Sequence, residues 1–203
     1  VHGESDGLPG VVVDRYADVL VLQTTSAGAR RWRDTLADTL MRETGARAVY
    51  ERSDSDVLEV EGLPPASGPL RGALSDTHVR CVENGLQLEI DLAHGHKTGH
   101  YLDQRENRAL VGSLAADAEV LDAFCYSGGF TLAALAGGAS HVTALDSSAA
   151  ALGQLERHLA LNELPAGRCT PTEDDVFKHL RRLRDQGRQF DLIVLDPPKF
   201  APT

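Results

Sequence analysis

The sequence predicts an α/β fold in which a small α+β unit, residues 1–93, precedes an open parallel sheet, residues 94–203. Two observations predict it. In the second region strand-like and helix-like segments alternate, which is typical of a parallel sheet covered on both faces. In the first region short apolar runs are separated by turn residues and flank a single helical stripe.

The first half of the α+β unit reads as a hairpin followed by a helix. Apolar residues 11–13 and 19–22 lie on either side of a polar break at residues 17–18, which predicts two paired strands. Next, Trp32, Leu36 and Leu40 recur every four residues and predict the apolar stripe of a helix. Gly45 follows at a position where a helix commonly ends in a left-handed residue.

The second half of this unit adds strands and a loop. Residues 48–50 predict a further strand, and the proline-rich residues 63–69 predict a loop. Asn84-Gly85 favours a tight hairpin turn, because both positions tolerate positive φ. The residues after it, 86–92, alternate between apolar and polar and predict the second strand of that hairpin.

The second region contains four strand signals with helix signals between them. The predicted strands span residues 120–124, 141–145, 168–172 and 190–195, and the predicted helices span 131–136, 149–161 and 176–185. Ligands of open parallel sheets bind at the carboxyl ends of the strands. Candidate functional residues are therefore sought where each strand ends.

Composition limits the class of protein. The 203 residues are 42% hydrophobic, and no apolar run is long enough to cross a membrane. The N-terminus has no signal pattern, and three cysteines suit a reducing compartment, so a cytoplasmic location is expected. The net charge of −10 counts against a phosphate-gripping surface built from these residues alone.

The first strand end carries Asp122 and Phe124, followed by a turn with Gly128 and Gly129. Glycines let the backbone approach a ligand closely. The three-glycine dinucleotide fingerprint is missing, so a pyrophosphate site is disfavoured and a zwitterionic amino-acid group fits better. The alternative is an ordinary strand-to-helix turn.

The other three strand ends are acidic. Asp146 can accept hydrogen bonds from both hydroxyls of a ribose, or it can cap the helix that follows Ser147 and Ser148. Asp175, or its neighbour Asp174, can accept the exocyclic amine of an adenine, or it can cap the next helix.

Asp196 follows the fourth strand. The prolines at positions 197 and 198 predict a stiff loop, which suits a group that must be held beside a reacting ligand. Proline pairs also occur in turns without function.

Segments 94–108, 120–147 and 191–200 resemble the bacterial large-subunit ribosomal RNA cytosine-C5 methyltransferases. Residues 1–92 are similar to that family's central α+β domain. The resemblance implies a Rossmann-like, class I methyltransferase sheet, of which about four of seven strands lie in this sequence. It also implies S-adenosylmethionine as the cofactor, ribosomal RNA as the partner and no metal ion. A homodimer is compatible with it.

The resemblance also implies roles for individual residues. Those that match the family's cofactor-binding positions are Tyr101, Gln104, Arg105, Asp122, Phe124, Gly128, Gly129, Asp146, Asp175 and Asp196. Asp122 to Gly129 would hold the methionine end, Asp146 the ribose and Asp175 the adenine. Tyr101 to Arg105 would pack over the cofactor, and Arg105 could pair with the methionine carboxylate.

The implied reaction is methyl transfer to C5 of a cytosine in 23S ribosomal RNA. Asp196 would support the target base, and the nucleophilic cysteine is expected beyond Thr203, so residues 1–203 alone are expected to be inactive. Lys199 stands where some related enzymes keep a cysteine, and Cys125 reads as a packing residue. The alternatives are an amino-directed nucleic-acid methyltransferase and a non-catalytic cofactor- or RNA-binding module.

Three further groups of histidines or basic residues are present in the sequence. A histidine set (His94, His96, His100) fits no zinc spacing, so metal binding is disfavoured. A basic helix, residues 178–188, reads as a solvated face rather than a phosphate contact. Arginines 30, 31 and 33 near a predicted helix start oppose the helix dipole, which leaves phosphate contact open as a use for them.

Overall fold

The computed structural model describes residues 1–54 and 57–198, and its contacts form two compact units. The first unit comprises Val1–Cys81 and Glu89–Tyr101, and the second comprises Val82–Leu88 and the chain from Leu102 onward. The change of unit thus falls after Tyr101, whereas the sequence places it after residue 93. The reason is local: the hydroxyl of Tyr16 accepts the backbone N–H of His100 (3.1 Å), which ties this segment to the first unit.

The first unit contains a four-stranded mixed sheet. Its strands are β1 (Val11–Tyr16), β2 (Val19–Thr24), β3 (Ala48–Ser53) and β4 (Ala66–Gly72), in the order β1-β2-β3-β4. The first two strands form the predicted antiparallel hairpin, and β3 joins β2 in parallel. A parallel neighbour requires a crossover, and the intervening helical segment supplies it.

The crossover consists of α1 (Ala27–Arg31) and α2 (Arg33–Thr44), and a short α3 (Val57–Val60) follows β3. Gly45 ends α2 with φ 65°, as predicted. The predicted stripe is wrong at Trp32, which lies between α1 and α2 and is 59% exposed. The core of this unit combines strand residues with partly buried leucines of α2: Val11, Val13, Leu20, Leu22, Val49, Leu36 and Leu40.

The predicted loop at residues 63–69 is wrong in its second half, because β4 begins at Ala66 and pairs antiparallel with β3. Pro69 is tolerated there, since β4 is an edge strand and a proline at an edge need not break the ladder. Local composition signals turns, but it does not reveal which strand will lie at an edge.

A two-stranded hairpin follows, formed by β5 (His78–Glu83) and β6 (Leu86–Asp91). Asn84 and Gly85 have φ of 49° and 84°, which confirms the predicted tight turn. The outer ends of the two strands belong to the first unit, whereas the tip, Val82–Leu88, belongs to the second.

The second unit is built on a parallel sheet, as predicted. Its strands are β7 (Glu119–Ala123), β8 (His141–Asp146), β9 (Cys169–Glu173) and β10 (Leu192–Leu195), in the order β10-β7-β8-β9. The register of all three pairs is parallel. The chain thus passes from β7 to β8 and β9, then returns to the other side of β7.

Four helices accompany this sheet: α4 (Arg105–Leu114), α5 (Gly129–Ala136), α6 (Ala149–Leu161) and α7 (Val176–Asp185). The last three were predicted, whereas α4 was not. Buried residues of the sheet and α7 form one core cluster: Leu121, Ala123, Leu145 and Val176. On β10, by contrast, Ile193 and Leu195 are more than half exposed. Within residues 1–54 and 57–198, no helix combines the length and apolar character that a membrane span requires.

Candidate functional site

The return of the chain to β10 creates a topological switch point at the carboxyl ends of β7 and β10, the usual ligand site of an open parallel sheet. Asp122 lies in β7 at this edge and is only 1% exposed. The hydroxyl of Thr131 donates to its Oδ2 (2.6 Å). Burial, with a smaller effect of the nearby carboxylates of Asp146 and Asp196, raises the pKa of Asp122 to about 6, although the hydrogen bonds from Thr131 lower it.

The loop from Phe124 to Gly128 leaves the sheet through an unusual backbone. Phe124, Tyr126 and Gly128 all have positive φ, at 64°, 50° and 79°. Non-glycine residues rarely adopt this region, and such conformations persist only where surrounding contacts enforce them. Here the backbone N–H groups of Phe124 and Cys125 both donate to the carbonyl of Leu145 (2.8 and 3.1 Å), which ties the loop to β8.

Gly128 meets a second requirement besides its positive φ. A Cβ at this position would overlap Cδ1 of Leu155 and lie 3.0 Å from its Cγ, so the loop passes directly over α6. Gly129 then begins α5. The carbonyl of Ser127 lies 2.9 Å from Nδ1 of the buried His158, which fixes the loop from beneath. The result is a rigid turn in which the backbone N–H groups of residues 124, 125, 126 and 128 all donate internal hydrogen bonds.

Asp146 connects this loop to the next helix. Its Oδ2 accepts the N–H of Tyr126 (2.8 Å), and its Oδ1 accepts the N–H of Ser148 (2.9 Å). The helix cap is Ser148, whose hydroxyl accepts the N–H of Ala151 (3.2 Å), so capping does not account for Asp146. A carboxylate offers about four acceptor positions, and two remain for a ligand.

Asp175 caps α7, as the structural alternative anticipated. Its Oδ1 accepts the N–H of Lys178 (3.0 Å), and this hydrogen bond holds the pKa of Asp175 below its usual value. Asp174 is occupied by His179 (2.9 Å) and Arg182, which makes it the less available of the two acids. Nearby, the rings of Phe124 and Phe177 meet edge-to-face at 5.3 Å. The adenine role of Asp175 stays a prediction.

Asp196 follows β10 and is exposed. Its Oδ2 accepts a hydrogen bond from Nε2 of Gln104 (3.3 Å), so Gln104 reaches the same edge of the sheet as Asp196. Arg105 exchanges hydrogen bonds with Asn84 instead: its Nε donates to Oδ1 of Asn84, and its carbonyl accepts from Nδ2, both at 3.3 Å. Its pairing with a carboxylate ligand stays a prediction. Tyr101 belongs to the first unit.

The cysteines are poorly suited to nucleophilic chemistry. Cys125 is buried beside the loop, and burial, with Asp122 and Asp146 nearby, raises the pKa of its thiol far above the ordinary value. Burial likewise raises the pKa of Cys169 to about 12. A thiol attacks as its thiolate, so neither residue is a ready nucleophile. The prediction concerning Lys199 falls outside the described residues.

Other charged groups singled out in the sequence have internal partners. Arg30 and Arg33 both pair with the buried Glu51. Arg30 and Arg31 occupy the last turn of α1, where the dipole favours cations, so the predicted dipole misfit is wrong for them. His94 contacts Asp91 (3.1 Å), and on α7 both Lys178 and Arg184 pair with neighbouring aspartates.

Sequence reasoning missed three contributors to the site. Thr131 supports Asp122, Asn107 contacts Gln104 (2.6 Å), and Asn84 contacts Arg105. Thr131 stands inside a predicted helix one turn after the glycine pair, a spacing that could have pointed to it. The two asparagines carry no local signal, because their partners are set by packing.

These carboxylate acceptors suit a ligand with hydroxyl groups and positive charge. Within the described part of the chain, no lysine, arginine or histidine forms an ion pair with Asp122, Asp146 or Asp196. S-adenosylmethionine carries ribose hydroxyls, an ammonium and a sulfonium, and therefore fits this set.

Comparisons with known proteins identify the family of this chain. A protein-family model described as S-adenosylmethionine-dependent methyltransferase matches residues 35–203. The chain is 49% identical over 201 residues to "Ribosomal RNA large subunit methyltransferase I" of Shewanella amazonensis, covering 99% of this chain and 51% of that protein. The chain thus spans about half the length of the curated relatives it matches.

Two solved structures share the fold. One, from Streptococcus mutans and described as a SAM-dependent methyltransferase, aligns with a TM-score of 0.86 at 26% identity, over 97% of this chain and 50% of its own. Another, SMU.776, a methyltransferase by description and complexed with SAH, aligns with a TM-score of 0.87 at 26% identity, over 100% and 51%. Because the family model covers most of the sequence, the chain belongs to the S-adenosylmethionine-dependent methyltransferase family.

Proposed function

We propose that the gene product transfers a methyl group from S-adenosylmethionine to C5 of a cytosine in 23S ribosomal RNA. The observation that carries the proposal is the convergence of Asp122, Asp146 and Asp196 at the switch point, beside a loop whose positive-φ backbone is fixed by internal hydrogen bonds. Identity of 49% to a ribosomal RNA large subunit methyltransferase supports RNA as the substrate. The site residues assigned by resemblance are part of this proposal.

The cofactor, when bound, supplies an electrophilic methyl group on a sulfonium. The protein's part is to bind and orient it. Asp146, already fixed by two backbone N–H groups, accepts the ribose hydroxyls with its remaining lone pairs. The backbone of residues 124–129 contacts the methionine end, and Asp175 with Val176 lies at the adenine end. Such positioning lowers the barrier by holding reacting atoms at close range.

Asp196 is placed by the stiff Asp196-Pro197-Pro198 loop to contact the target base. Cytosine C5 is a weak nucleophile, and addition of a thiolate at C6 increases the electron density at C5. Burial raises the pKa of Cys125 and Cys169 and so disfavours the thiolate form of both. The family resemblance puts the nucleophilic cysteine beyond Thr203. The net charge of −10 disfavours binding of RNA phosphates by the chain as a whole, so the phosphate contacts are left to other surfaces.

The first test is calorimetric titration of S-adenosylhomocysteine into the full-length gene product. We expect Asp146→Ala to weaken binding by about 100-fold or more, because a hydrogen bond to a charged group contributes about 1.5–3 kcal/mol and two are lost. Glu156→Ala, an exposed acid on α6, is the matched control and should bind as the wild type does. A folded wild type that does not bind would refute the proposal.

The second test identifies the methylated atom. The full-length product is incubated with radiolabelled cofactor and unmethylated 23S ribosomal RNA, and the digested nucleosides are separated. Label in 5-methylcytidine supports the proposal. Label on an exocyclic amine would favour the amino-directed alternative, for which the Asp196-Pro197-Pro198 motif is the specific argument. Retained RNA binding with no transfer would favour a non-catalytic module.

A further inference from the structure

Gln104 stands between Asp196 and a second side chain, Asn107. Its Nε2 donates to Oδ2 of Asp196 (3.3 Å), while its Oε1 accepts a hydrogen bond from Nδ2 of Asn107 (2.6 Å). We propose that Asn107 is a positioning residue: it orients the amide of Gln104, which in turn holds the carboxylate of Asp196 toward the target base. This inference rests on the proposed function.

The polarity of the amide is the first step. A glutamine side chain ends in a donor and an acceptor of nearly equal size, and only the NH2 group can donate. Because Asn107 donates to the oxygen, the nitrogen must face Asp196. If the amide turned by half a revolution, its oxygen would face a carboxylate oxygen, and the two acceptors would repel each other. Asn107 therefore selects the one orientation that supports Asp196.

The second step is the anchoring of the backbone that carries Gln104. This residue immediately precedes α4, whose first turns are attached to the hairpin tip. Arg108 makes a bidentate pair with Glu83 (2.6 and 2.8 Å), and these side chains are only 5% and 11% exposed. Arg105 exchanges two further hydrogen bonds with Asn84. Bidentate, buried pairs of this kind fix direction as well as distance.

The hairpin tip is itself attached at its other side. The N–H of Gln87 donates to Oδ1 of Asn162 (2.7 Å), and Nδ2 of Asn162 donates to the carbonyl of Gln87 (2.8 Å). Asn162 ends α6. The tip thus links the end of α6 to the start of α4 within the second unit, and Gln104 extends from a frame that is fixed at two points.

The third step concerns what remains free on Asp196. Gln104 occupies Oδ2, and among the described residues Oδ1 has no hydrogen-bond partner. An oriented carboxylate with one open oxygen can accept the exocyclic amine of a cytosine. The consequence is that loss of Asn107 should slow transfer while leaving cofactor binding intact, since Asp146 and the loop do not depend on it.

The experiment measures kcat for methyl transfer to 23S ribosomal RNA, and Kd for S-adenosylhomocysteine, in the full-length gene product. Gln104→Ala should lower kcat about 10- to 100-fold, as expected for a lost hydrogen bond to a charged group. Asn107→Ala should lower it about 3- to 10-fold. Asn107→Asp keeps the shape but cannot donate, so its loss should equal or exceed that of Asn107→Ala. In the two Asn107 variants Kd should stay within about twofold.

A double-mutant cycle separates positioning from mere support of α4. Asn107→Ala should have no further effect on kcat in the Gln104→Ala background, because both changes remove the same contact to Asp196. Glu106→Ala, an exposed change in the same helical turn, is the matched control and should leave kcat unaltered.

Additive effects, or a kcat unchanged in Asn107→Ala and Asn107→Asp, would overturn the inference while an active wild type upholds the proposed function. A weakened Kd in either Asn107 variant would also overturn it, because Asn107 would then support cofactor binding. A wild type that binds the cofactor but methylates no RNA would overturn the proposed function and this inference together.

Discussion

The two sheets of this protein differ in whether their charged side chains have compensating partners within the protein. In the first unit, Glu51 projects from β3 and is only 4% exposed, yet it is paired with Arg30 and Arg33. The neighbouring Arg52 is also buried and donates to the carbonyls of Leu92 (2.7 Å) and Gly95 (3.0 Å). Every one of these charges is neutralised or solvated by the unit itself.

In the second unit, Asp122, Asp146 and Asp196 lie together at one edge of the sheet. Asp122 shows the effect of this proximity, because its pKa is raised by burial and by the other two carboxylates. In the described ranges no cation compensates them. Uncompensated like charges are costly, and they are tolerated where a ligand will bind. The difference separates charges that hold a fold together from charges that await a partner.

The substitution expected to have the largest effect on stability, and so to test this comparison most strongly, is at Glu51. We expect Glu51→Ala to destabilise the protein by about 3–5 kcal/mol, because Arg30 and Arg33 then lose the buried carboxylate with which they pair. Urea unfolding would measure this. Glu59→Ala, an exposed acid on α3, is the control and should change stability by no more than about 0.5 kcal/mol. A small effect at Glu51 would mean that these charges are solvated in the native state.

A second change tests the loop. Gly128→Ala should cost about 2–4 kcal/mol, because alanine is strained at φ 79° and its Cβ would overlap Leu155. Unfolding in urea again gives the value. At Gly167 a Cβ would meet nothing within 4 Å, so Gly167→Ala serves as the control and should be nearly neutral. Equal stability of the two variants would contradict the close passage of the loop over α6.

The third change has the opposite sign and depends on pH. Because the pKa of Asp122 is raised from 3.8 to about 6, the folded state binds this proton more tightly than the unfolded state does. The stabilising contribution is therefore fully present below pH 3.8 and is lost as the pH rises through about 6. Asn at this position keeps an acceptor for Thr131 and carries no charge.

We therefore expect Asp122→Asn to gain stability relative to the wild type between pH 4 and pH 7, by about 2–3 kcal/mol in total. Unfolding curves recorded across this range would measure the difference, with the exposed Asp103→Asn as the control. A difference that does not change with pH would show that Asp122 titrates normally, and the contrast between the two sheets would then rest on geometry alone.

The parts of the fold that were predictable depend on local patterns. The alternation of strand and helix signals after residue 119 predicted the parallel sheet. Asn84-Gly85 predicted the turn between β5 and β6, because few other residue pairs accept two positive φ values. β4 escaped prediction because Pro69 and the prolines just before the strand signal turns, and only its place at the sheet edge makes Pro69 acceptable. Helix α4 escaped because it has no buried apolar stripe: its buried residue is Arg108, whereas Leu110 and Leu114 are more than half exposed.

The candidate site divides in the same manner. Asp122, Asp146 and Asp196 could be nominated because each stands where a predicted strand ends, and parallel strands bring those ends to one edge. Glu51 could not be assigned as the partner of Arg30 and Arg33, since the pairing depends on how α1 and α2 pack against β3. The contact of Gln104 with Asp196 spans most of the second unit in sequence and depends on the complete fold.

The strand order β10-β7-β8-β9 also has a consequence for the time course of folding. Val120 of β7 pairs with Leu192 of β10, so one side of β7 stays unpaired until β10 has left the ribosome. Contacts this distant in sequence form slowly, and exposed strand edges invite association with other chains. During synthesis, therefore, the side of β7 that will pair with β10 stays open to association with other chains until β10 has been made.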